Sequence, residues 1–65
     1  MRNRLRECRI ANGLNQRQLA EKTHTAQSLI STLERGNIKP WPKVMLRLSK
    51  VLKVSRKELF PEEWS

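Results

Sequence analysis

Residues 15–36 read NQRQLAEKTHTAQSLISTLERG, two short helical patterns joined by a tight turn. Leu19, Ala20, Ile30 and Leu33 are the apolar or small positions that hold the pair together. Gln27, Ser28, Ser31, Thr32 and Arg35 gather on the other side of the second helix when each residue turns the helix by about 100°. None of these five is acidic, and none is large and apolar. Glutamine can bond bidentately to the major-groove edge of adenine, and serine or threonine can serve several bases. The B-DNA major groove admits one α-helix, and a helix pair with a tight turn presents its second helix there. The plain alternative is a solvated polar face, which most surface helices have.

Working outward, Asn15 is an N-cap, and Gln18 stands where it can complete a capping box. Gln16, Leu19, Ala20 and Thr23 share one face of that helix; Arg17, Gln18, Glu21 and Lys22 share the other. Thr25 is the next expected N-cap, opening a helix at Ala26 in which Ala26, Ile30 and Leu33 form the buried stripe. Gly36 ends it. Upstream, residues 2–12 predict a helix with Leu5 and Cys8 on one face beside Asn12 and Met1, stopped by Gly13 and followed by a core Leu14.

Downstream, Pro40 and Pro42 exclude a helix through the segment NIKPWPK, while Pro42 suits the first position of a fourth helix running to about Leu52. Val44, Met45, Leu48, Val51 and Leu52 form its apolar face, opposite Lys43, Arg47 and Lys50. Ser55 and Glu58 predict a full capping box and a short fifth helix from Arg56, anchored by Leu59 and Phe60 and closed by Pro61. No stretch reads as a strand or a repeat. The expectation is an all-α fold of five short helices in a single domain over residues 1–65.

Sixty-five residues support one modest core. Fourteen Lys and Arg against six Asp and Glu give a net charge of +8, which speaks of partners rather than of fold. Nucleic acid comes first among those partners and an anionic membrane second. No apolar run approaches the roughly 20 residues that cross a bilayer. The basic start MRNRLRECRI leads into no apolar signal segment, so a cytoplasmic location is expected. The lone Cys8 fits a reducing compartment and reads as a small core residue. One Cys and one His cannot make a zinc site, so no metal is expected. Glu7, Glu21 and Glu58 read as surface charges; no catalytic set emerges, and neither an enzyme nor a cofactor is expected. Cations bracket the helix pair instead: Arg35, Lys39 and Lys43 beyond it, Arg2, Arg4 and Arg6 before it. Gln16 opens a helix, where unpaired N–H groups favour anions.

The chain resembles the phage repressor and Cro-type helix-turn-helix domains, the xenobiotic-response-element regulators. The resemblance rests on Gly13-Leu14-Asn15-Gln16, Leu19-Ala20-Glu21-Lys22, Ile30 with Leu33-Glu34-Arg35-Gly36, Pro40, Leu52-Lys53-Val54-Ser55, and Glu58-Leu59. It implies a compact five-helix, lambda-repressor-like DNA-binding domain with the helix-turn-helix at residues 15–36. It also implies that Gln27, Ser28 and Thr32 contact bases, with Ser31 between them. Gln16 matches the glutamine that holds a phosphate and steadies the first base-reading side chain. Asn15, Arg35, Lys39 and Lys43 fall at phosphate-contacting positions. Arg9 and Glu34 match a partly buried ion pair between helix one and the end of helix three. Family dimers form through the last two helices, which makes Leu46, Leu59, Phe60 and Trp64 the candidate contacts of a weak homodimer; Phe60 and Trp64 read equally well as core. Three positions depart from the pattern: His24 replaces the usual turn glycine, Thr23 an aliphatic residue, and Trp41 a small N-cap.

The implied function is a sequence-specific regulator, a repressor by expectation, that binds double-stranded DNA at a pseudo-palindromic operator. The alternative is a protein-interaction adaptor or antitoxin-type module that keeps the fold. An adaptor would carry acidic or apolar residues at positions 27, 28, 31 and 32.

Overall fold

The computed structural model describes residues 3–61. It contains five helices in chain order: α1 (Leu5–Ala11), α2 (Gln16–Thr23), α3 (Gln27–Arg35), α4 (Pro42–Leu52) and α5 (Arg56–Leu59). Helix α2 packs on α3 and α4, α4 on α5, and α1 on α3. One apolar cluster joins them, built from Leu5, Leu19, Ile30, Leu33, Leu48, Leu52, Leu59 and Phe60 with smaller neighbours.

Helix α1 is shorter than its sequence pattern. Asn3 and Arg4 are used in other contacts: Asn3 Oδ1 accepts from the Leu5 N–H, and the Arg4 N–H donates to the Leu59 carbonyl at 2.8 Å. At its other end Gly13 takes φ +70°, open to glycine at no steric cost. The Asn12 amide donates to the Cys8 and Leu52 carbonyls and so ties α1 to α4.

The capping box of α2 forms in full, with Gln18 N–H on Asn15 Oδ1 at 2.7 Å and Asn15 N–H on Gln18 Oε1 at 2.9 Å. His24 ends α2 in the left-handed region at φ 56°. The α3 cap differs from expectation. The capping position falls on Ala26, which has no side chain for the task and is exposed rather than part of the buried stripe. Thr25 is engaged elsewhere: its hydroxyl meets that of Thr23 at 2.9 Å. Thr23 gives its only hydroxyl proton to the Leu19 carbonyl at 2.8 Å, so Thr25 is the donor between the two. That pairing satisfies a threonine that is 1 % exposed.

Trp41 precedes α4 with no side-chain cap, and Pro42 opens the helix as expected. Lys53 closes α4 at φ 59°, a left-handed position that the sequence pattern does not announce. At α5 only half of the predicted capping box is present: Ser55 Oγ accepts from the Glu58 N–H at 3.1 Å. Leu59 and Phe60 are each 0 % exposed: both anchor α5 in the core, the core alternative for Phe60, and neither offers the surface that a dimer contact needs. Leu46 remains 45 % exposed. Met1, Arg2 and Trp64 lie outside the described residues. No helix among those described is long and apolar enough to cross a membrane.

Candidate nucleic-acid interface

Helix α3 owes its orientation to its apolar side. Ile30 and Leu33 are fully buried and Leu29 packs against the core, which turns the opposite side away from it. On that side Gln27, Ser28 and Arg35 are exposed, and Ser31 and Thr32 are half-buried. The Thr32 hydroxyl donates to the Ser28 carbonyl at 2.8 Å. Its oxygen remains as an acceptor and its methyl as an apolar contact, the latter suited to a thymine methyl.

The turn before α3 is held from two sides. Besides the Thr23–Thr25 hydroxyl pair, Arg47 Nη1 of α4 reaches the Thr23 carbonyl at 3.4 Å. The far end of α3 is held by charge. Arg9 Nε donates to Glu34 Oε2 at 2.6 Å, Arg9 Nη2 to Oε1 at 3.4 Å, and Arg9 Nη1 to the Leu14 carbonyl at 2.8 Å. The two side chains are 12 % and 5 % exposed. A fork of this kind fixes α1, the connection to α2 and the end of α3 relative to one another.

Gln16 joins the same group. Its Nε2 donates to Glu34 Oε1 at 3.1 Å, so one amide hydrogen is engaged and the second is available. Gln16, Ser31 and Arg35 border a common concavity of about 360 Å³ with Arg6, Arg9 and Glu34. Lys39 and Lys43 do not line it; they stand exposed on either side of the segment Pro40-Trp41-Pro42. Asn15 is exposed, with its side-chain Oδ1 held by the Gln18 N–H of the cap.

Arg6 is the residue that sequence reasoning left in a general pool of charge. Its signal was available: Arg6 and Arg9 are three apart on one helix and so share a side. The tie from Gln16 to Glu34 and the reach of Arg47 had no comparable signal. Cys8 stays apart from this chemistry, buried on α1, where desolvation pushes its thiol above the ordinary range.

Residues 5–59 match the family model described as helix-turn-helix. No curated protein matches the chain. The match spans all five helices, including the two outside the helix-turn-helix itself. The chain therefore belongs to the helix-turn-helix family of the xenobiotic-response-element, Cro/repressor-like kind, a family of DNA-binding regulators.

Proposed function

We propose that the chain is a sequence-specific repressor that binds a pseudo-palindromic operator as a weak homodimer, acting as one domain. Helix α3 enters the major groove; Gln27, Ser28 and Thr32 read base edges, with Ser31 between them on the same side. Asn15, Gln16, Arg35, Lys39 and Lys43 hold the flanking phosphates and set the register.

The observation that carries this reading is the outer side of α3. It places uncharged hydrogen-bonding side chains opposite the buried Ile30 and Leu33, with cations at its end and no acid among them. A protein-docking helix would present apolar or acidic groups at those positions.

The test is duplex binding across a salt series, with sites first selected from random DNA. Gln27→Ala is expected to cost roughly 1–3 kcal/mol on the selected site and to relax preference at one base pair. Lys39→Ala is expected to weaken all sequences alike and to flatten the salt slope by about one unit. Cognate binding that ignores Gln27→Ala would remove α3 from the groove.

A further inference from the structure

The concavity between α1, the start of α2 and the end of α3 holds three arginines and one glutamate. The charge of Arg9 is matched by Glu34, and each of its three nitrogens makes one bond, two to Glu34 and one to the Leu14 carbonyl. Glu34 in turn is neutralised by Arg9 and holds Gln16 through its other oxygen. Subtracting that pair leaves two positive charges, on Arg6 and Arg35. Neither makes an ion pair among the described residues, and both are exposed at the rim. Gln16 brings an amide hydrogen that Glu34 does not use, and Ser31 brings a hydroxyl. Donors converge here from three helices, and the sole acid is already paired.

We infer that Arg6, Arg35, Gln16 and Ser31 form a seat for one phosphodiester oxyanion of the DNA backbone, with Glu34 as the internal group that positions Gln16. Helix α1, which lies outside the helix-turn-helix, thereby becomes part of the DNA grip through Arg6. The inference rests on the DNA-binding reading for its ligand, but the seat itself is a property of the protein alone. Arg4, two residues away, is a charge-matched control: it pairs with Glu7 on the surface at 3.3 Å and does not line the concavity.

The experiment compares the intact chain with Arg6→Ala, Arg6→Lys and Arg4→Ala in duplex binding over a potassium chloride series. Arg6→Ala is expected to lower the salt slope by about 0.9, the value for one phosphate contact on B-DNA, and Arg6→Lys to restore it. Arg4→Ala is expected to keep the parental slope. A parental slope in Arg6→Ala, or an equal fall in Arg4→Ala, overturns the seat while leaving DNA binding intact. A second arm uses inorganic phosphate without DNA and reads the thermal midpoint against chloride at equal ionic strength. The midpoint of the intact chain is expected to rise in phosphate and that of Arg6→Ala to rise less. Equal rises overturn the seat, and this arm decides the matter even if the intact chain ignores duplex DNA.

Discussion

Glu34 is a charged side chain on which three helices meet. Its two oxygens meet Arg9 and Gln16, so one carboxylate links α1, α2 and α3. At 5 % exposure it is screened little by water. Removing one partner leaves the other charge buried and unpaired, so Arg9→Ala or Glu34→Ala is expected to cost about 3–5 kcal/mol in denaturant unfolding. A loss below 1 kcal/mol would mean that the site relaxes enough to hydrate the orphan. His24 is a smaller source of cost. At φ 56° it adopts a conformation that disfavours most L-residues by about 1–2 kcal/mol, and histidine is among those that tolerate it best. His24→Gly is expected to raise stability by up to about 1 kcal/mol, reduced by glycine's greater freedom in the unfolded chain, and the same denaturation experiment reads it.

Helix α3 has a strong apolar stripe and a poor beginning. Ala26 occupies the capping position at φ −77° and ψ 144°, a backbone already suited to a serine cap, and it is exposed. Ala26→Ser is therefore expected to add about 1 kcal/mol through a new bond to an unpaired N–H of the first turn, read as a higher unfolding midpoint with an unchanged denaturant slope. The misplaced cap shows where sequence stops being legible. All five helices follow from local patterns: apolar spacing, Asn15 with Gln18, Pro42 at a helix start, Gly13 and Gly36 at helix ends. What a pattern over a few residues cannot carry is a contact across the chain. Asn3 reaches the Leu33 carbonyl 30 residues on, and Asn12 reaches that of Leu52 after 40. Such ties shorten α1 at its start and anchor it at its end. Thr25 was lost to a partner two residues back, where its hydroxyl serves the buried Thr23 rather than the helix. The polar side of α3 was readable because it is local; the concavity that Arg6 completes was not, because three helices build it.

The protein's dimensions bear on how it can read DNA. Its principal extents are 29 × 21 × 19 Å, and the described residues hold one helix-turn-helix, formed by α2 and α3. Successive major-groove faces on one side of B-DNA are about 34 Å apart. One copy therefore cannot occupy two of them, and a reading of two half-sites requires two copies side by side. With Leu59 and Phe60 buried in the core, the candidate contact that remains exposed on the last two helices is Leu46 on α4, at 45 %. If the proposed homodimer forms through α4, Leu46→Asp places a charge in its contact; the position is outside the core, so the free protein is expected to unfold within about 0.5 kcal/mol of the parent. Binding to a duplex with one half-site should change little, because Leu46 is itself none of the groove or phosphate residues; of those only Lys43 shares α4 with it, and that side chain stays in place. Binding to a duplex with two half-sites should lose its cooperativity, since each copy would then bind alone. Titration of both duplexes in parallel separates these effects. Cooperativity that survives Leu46→Asp would take α4 out of the contact and leave the two copies joined through other surfaces or through the DNA itself.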